Sequence, residues 1–166
     1  MDKVEVKQQT VVIPTYETAE PCPHPMFLEN RAYQGSSGRV YPHPIIESMN
    51  DEKHNKEYTA VFLENEYLSV MILPELGGKI QRIYDKTNGH DAVYYNEVIK
   101  PALIGLAGPW TSGGIEFSWP KHHKLSVCDT VDYKIEENED GSATVWCGEI
   151  DKMSHIKGMA GYTLYP

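Results

Sequence analysis

A carboxylate and two adjacent histidines fall within eight residues of each other in Gly113-Gly114-Ile115-Glu116-Phe117-Ser118-Trp119-Pro120-Lys121-His122-His123. Epimerising or cleaving a sugar acetal requires one group that takes a proton and another that gives one near neutral pH, and a shielded Glu paired with a His can supply both. Glu116, His122 and His123 are therefore the candidate catalytic residues. A purely structural reading of the same atoms has Glu116 accepting hydrogen bonds from loop amides and the histidines lying at the surface beside Lys121 and Lys124. Metal chemistry is disfavoured and no metal is expected, because adjacent histidines on an extended segment point to opposite sides and do not readily share one ion. Glycosidase chemistry would require a second carboxylate, for which Glu75, Asp85, Glu97 and Asp129 qualify by type alone.

Positioning these groups falls to the segment that carries them. Read as a strand, the run sends Ile115, Phe117 and Trp119 to one face and Glu116 and Ser118 to the other. Two glycines at its start remove Cβ atoms and permit close approach of a ligand or another backbone. Pro120 limits the ladder, which leaves the histidines on the loop beyond it. Trp110, Trp119, Tyr94 and Tyr95 gather around the glycine-rich region, where a ring can stack on the apolar face of a sugar. Trp110, in loop-like surroundings, is the first candidate for substrate contact, followed by Trp119. Arg82 is a further substrate-binding candidate as a hydroxyl-directed donor, set against a solvated surface charge or an ion pair with Asp85.

Composition bounds the partners. The chain has 166 residues, 40% hydrophobic and 10% aromatic, enough for one domain with a core. Its net charge is -9, and no basic run tracks a phosphate backbone, so no nucleic-acid partner is expected. No stretch reaches the roughly 18 apolar residues of a membrane helix, and the first residues are too charged for a secretion signal, so no membrane partner and a cytoplasmic location are expected. Cys22, Cys128 and Cys147 are odd in number and lack CxxC spacing, which argues for free thiols. No cofactor is expected.

Along the chain, short alternating runs punctuated by turns indicate an all-β protein. Strands are expected over 9–16, 58–63, 67–73, 79–84, 131–136 and 143–147, with tight turns at Glu64-Asn65-Glu66, Asp85-Lys86-Thr87-Asn88-Gly89 and Asn138-Glu139-Asp140-Gly141. Residues 42–56 are polar and proline-containing and read as a long loop. Residues 1–56 are thus expected to form an extended arm with a first strand and long loops, and residues 57–166 the N-terminal part of a β-sandwich. Met159 to Pro166 begins another strand, so self-association through exposed strand edges is expected.

Several segments carry a family resemblance. Pro74-Glu75-Leu76-Gly77-Gly78-Lys79-Ile80 resembles an early strand of galactose-mutarotase-like proteins, and Gly113-Gly114-Ile115-Glu116-Phe117-Ser118-Trp119-Pro120 is similar to a segment of the hexose-phosphate mutarotase branch. Nearly the whole chain from Val11, including Pro25-Met26-Phe27-Leu28, Tyr33-Gln34-Gly35-Ser36-Ser37-Gly38 and Val93-Tyr94-Tyr95-Asn96-Glu97-Val98-Ile99-Lys100-Pro101, resembles the start of the bacterial domain of unknown function 5107. The resemblance implies a galactose-mutarotase-like β-supersandwich, incomplete here, whose full-length form is often followed by tetratricopeptide repeats. It also implies a carbohydrate ligand, and a general-base carboxylate that lies beyond Pro166. Phosphosugar mutarotases carry Arg directly before Gly-Gly, where a guanidinium grips phosphate; Ser112 stands there in this chain, so neutral sugars are favoured. The expected function is carbohydrate binding or processing, inactive in this stretch alone, against the alternative of a noncatalytic interaction or scaffolding domain.

Overall fold

The computed structural model describes residues 3–24, 40–121 and 123–166. Among the described residues ten strands run in the order β1 (Glu5–Thr18), β2 (Met49–Glu64), β3 (Leu68–Leu73), β4 (Lys79–Asp85), β5 (His90–Asp91), β6 (Pro101–Gly105), β7 (Gly108–Thr111), β8 (Asp132–Glu137), β9 (Ala143–Ile150) and β10 (Lys157–Leu164). One 3-10 turn, Pro74–Leu76, interrupts them, and among the described residues there is no α-helix. The protein is all-β, as the alternating sequence pattern requires.

Strands β1 to β5 form one antiparallel sheet in chain order, and β10, β9 and β8 form a second. Between them lies the main core: Val61, Leu63, Val70, Ile72 and Ile80 from the first sheet face Val131, Val145, Cys147 and Tyr162. Strand β3 is apolar on both faces because both are covered, Val70 and Ile72 by this core and Met71 and Leu73 by a second cluster containing Ile13, Tyr58, Ala60 and Ile99. The hairpins predicted at residues 64–66 and 138–141 are present.

Two expectations are corrected. The stretch 42–56 is not a loop throughout: Met49–Lys56 is the first half of β2, and Lys56, His54 and Lys53 pair with Ile13, Thr15 and Tyr16 of β1. Its sequence hides this because residues 50–55 of β2 are all exposed, so no apolar alternation is written there. Residues 1–56, read as an arm, therefore contribute β1 and half of β2 to the principal sheet, and Val4 and Ile13 to the cores. The second correction concerns residues 113–119, read as a strand, where only Ile115 is sheet-paired, through a bridge to Ile80. Phe117, assigned to the buried face, is 47% exposed and leans on Tyr162 at 5.3 Å between ring centroids.

Candidate functional site

Gly114 fixes where Glu116 starts. Its φ is +66°, and a Cβ there would collide with the carbonyl of Ile80, so only glycine lets this backbone lie against β4. The contact is then closed by Ile115 N–H donating to Ile80 O (2.8 Å), Ile80 N–H to Ile115 O (3.1 Å) and Gly114 N–H to Tyr94 O (2.8 Å).

Beyond this anchor the Glu116 carboxylate turns inward, its side chain 13% exposed. Oε1 accepts hydrogen bonds from the Lys124 amide (2.8 Å) and the Ser118 hydroxyl (3.1 Å), which staples the 118–124 loop to the bridge. His123 Nδ1 stands 3.9 Å from the same oxygen. Oε2 is enclosed and has no hydrogen-bond partner among the described residues. His123 adopts φ +50°, an uncommon conformation for a residue with a Cβ, and its ring meets Trp110 edge to face at 5.8 Å. Glu116, His123 and Trp110 are thus brought together by the end of β7, the bridge and one stapled loop. His122 lies outside the described residues.

Lys79, at the start of β4, completes the group and was not singled out in the sequence. It is 2% exposed, and its ammonium donates only long hydrogen bonds, to Thr111 O (3.5 Å), Thr111 Oγ1 (3.3 Å) and Ser112 O (3.4 Å). Burial pushes its pKa down to about 8, against the opposing pull of the Glu116 carboxylate. Among the described residues no carboxylate lies within ion-pairing distance of this amine. A lysine in a short polar strand reads as solvated, and the covering segment that buries it is distant in sequence.

The remaining candidates stand apart. Trp119 lies across Gly158 of β10, where any Cβ would strike the indole, and lines a cavity of about 210 Å³ together with Ser118, Lys124 and Tyr162. Ser118 and Lys124 donate the hydrogen bonds that Glu116 Oε1 accepts, so this cavity abuts the stapled loop. Arg82 is committed elsewhere. Its guanidinium donates to both oxygens of Asp91 (2.6 and 3.2 Å) and lies between the rings of Tyr84 and Tyr95 at 4.6 and 4.5 Å. The ion-pair partner is therefore Asp91 and not Asp85, which instead accepts hydrogen bonds from Thr87 and Asn88 in its own turn. Burial pushes the Cys147 and Cys128 thiols up to about 11 and about 12, which leaves both as thiols at neutral pH.

Among solved structures the chain is similar to a TPR-domain containing protein from Parabacteroides distasonis ATCC 8503, with 26% identity and a TM-score of 0.87. The match covers 98% of this chain and 27% of that one, so the chain spans about a quarter of that protein's length. The sequence model of the domain of unknown function family (DUF5107) matches residues 36–165, most of the chain and every strand from β2 to β10. The chain therefore belongs to the DUF5107 family.

Proposed function

We propose that the chain is the N-terminal part of a galactose-mutarotase-like supersandwich that binds a neutral sugar, with the Glu116 cluster as the sugar-facing group. The observation that carries this reading is the convergence of Glu116, His123 and Trp110, with one carboxylate oxygen left uncommitted. A sugar site combines an aromatic surface for the ring's apolar face with a few placed hydrogen-bonding groups. Oε2 is enclosed, so it accepts from a sugar hydroxyl only as the stapled loop moves aside; His123 then exchanges a proton with the ring or anomeric oxygen, and the buried Lys79 ammonium acts at a distance on negative charge that develops nearby. Ser112, in place of a phosphate-gripping arginine, supports a neutral ligand. Anomer exchange requires a second carboxylate, which the family resemblance assigns to sequence after Pro166. Processing is therefore a property of the longer protein, and binding is the property tested in this chain.

The staple made by Oε1 favours a second reading, in which Glu116 only holds the loop of a noncatalytic domain. One pair of variants separates the two. Glu116→Gln keeps an oxygen for Lys124 N–H and Ser118 while replacing the free oxygen by an amide, whereas Glu116→Ala removes the staple. The sugar reading expects Glu116→Gln to melt within a degree or two of wild type yet bind galactose or glucose about tenfold more weakly, and Glu116→Ala to lose about 1–3 kcal/mol of stability. Saturation-transfer NMR with both sugars and thermal melts provide the readouts. Equal sugar affinity in the Gln variant removes Glu116 from the site and leaves only the staple.

A further inference from the structure

The outer face of the β8–β9–β10 sheet carries a groove that the Glu116 cluster does not use. Its centre is Trp146 on β9. The indole N–H donates to Glu136 Oε2 of β8 at 2.9 Å, and this hydrogen bond holds the Glu136 carboxyl below its usual pKa range. Gly161 of β10 is the cross-strand partner of Trp146, and a Cβ there would lie 2.6 Å from the ring. The glycine therefore makes room for the indole to lie across its neighbour strand. A hydrogen bond on one side and a bare strand on the other fix the ring before any ligand arrives, which lowers the ordering cost of binding.

Around this ring the sheet surface forms a shallow groove of about 470 Å³. Ile150 and Met159 extend the apolar floor and are 65% and 56% exposed. Exposed apolar groups on a rigid sheet face mark a binding surface. Two properties decide what kind of ligand fits. Nine residues line the groove, whereas a stable protein interface takes about 20–30 residues on each side, so the groove is sized for a small ligand or a short chain of rings. Its rim is balanced in charge: Glu149 is paired with Lys124 at 2.8 Å and Lys134 with Glu136 at 3.5 Å, which leaves Asp132 as an acceptor and Lys157 as a donor with no net sign. An anionic or cationic ligand would gain nothing from such a rim, and a polyhydroxylated neutral one can use both groups.

We infer that this groove binds a neutral oligosaccharide, one ring stacked on Trp146 and its hydroxyls reaching Asp132 and Lys157. The site is separate from the Glu116 cluster and does not depend on the sugar reading given to it. Amide and indole NMR spectra of the 166-residue chain test it, with maltohexaose and cellohexaose as neutral probes and trigalacturonate as the anionic one. A saturable shift of the Trp146 indole with at least one neutral hexaose is expected. That binding should fall about tenfold in Trp146→Ala and about threefold in Asp132→Ala or Lys157→Ala, and should hold within about threefold in Trp146→Phe, which keeps a ring should the alanine variant misfold. Glu116→Gln should leave it unchanged, so failure at one site is distinguishable from failure at the other. The inference is overturned by no saturable shift with either neutral probe, by tighter binding of trigalacturonate, by affinity indifferent to loss of both Asp132 and Lys157, or by an indole shift that follows protein concentration alone.

Discussion

Lys79 has the most unusual surroundings of any ionisable side chain near the candidate site. Its folded pKa of about 8 lies below the 10.5 of the free amine, so between those values the unfolded chain binds more protons and stability rises with pH. The cost of burying the ammonium is fully present below pH 8 and is relieved as pH climbs toward 10.5. Cys147 and Cys128, raised from 9 to about 11 and about 12, act in the opposite sense above pH 9. The informative interval is therefore pH 8 to 9, where wild type should gain about 1 kcal/mol over Lys79→Met in urea unfolding. Parallel stability curves for the two proteins across that interval would mean that the amine is not buried as a cation. Residue types alone pointed to Glu116, His122 and His123, because acid and base chemistry needs those groups and they sit close in the chain; His122 lies outside the described residues. Lys79 escaped notice because its burial comes from Thr111 and Ser112, more than thirty residues away. Arg82 was misread for a related reason: Asp85 is nearer in sequence, but the short return strand β5 brings Asp91 across from β4.

At the scale of elements, the bridge between Gly114–Ile115 and Ile80 holds the Glu116 cluster against the principal sheet. Gly114→Ala should therefore cost about 2 kcal/mol or more, since both the left-handed φ and the contact with the Ile80 carbonyl forbid a side chain. Gly89→Ala is the control. It shares a positive φ of +72°, but a Cβ there meets only the Tyr84 hydroxyl at 3.8 Å, so about 1 kcal/mol is expected. Chemical denaturation of both variants gives the comparison, and equal losses would show that the close approach at Gly114 carries no weight. Strands were legible where burial on one face wrote an alternation into the sequence, as in β8, but β6 and β7 carry no such pattern, and Trp110, read as lying in a loop, is in β7. The polar half of β2 was not legible, because backbone pairing with β1 sustains it without a buried face. The strand expected over residues 113–119 failed for the converse reason. The alternation exists only in the sequence, because two consecutive left-handed glycines and Pro120 confine the pairing to a single residue, and Phe117 is left exposed while Glu116 turns inward.

For the molecule as a whole, β10 is the outer strand of the three-stranded sheet and among the described residues pairs only with β9. Its free edge, with Met159 exposed beside it, favours pairing with a second copy. Light scattering at micromolar concentration should therefore show a dimer or larger species, and Met159→Lys should shift it toward monomer, because a charge at an edge discourages pairing. A monodisperse wild-type monomer would remove the edge from the account. The central claim, that Glu116, His123 and Trp110 form one sugar site, has a more direct test. The chain has three tryptophans, one in the Glu116 cluster, one over Gly158 and one in the outer groove, so the three indole N–H resonances separate these locations. Titration with galactose should move the Trp110 indole and the His123 ring resonances together along one saturable curve, and Glu116→Gln should weaken that curve while its amide spectrum stays folded. A Trp110 indole that does not move with galactose or glucose, or that moves with equal affinity in the Gln variant, would contradict the claim.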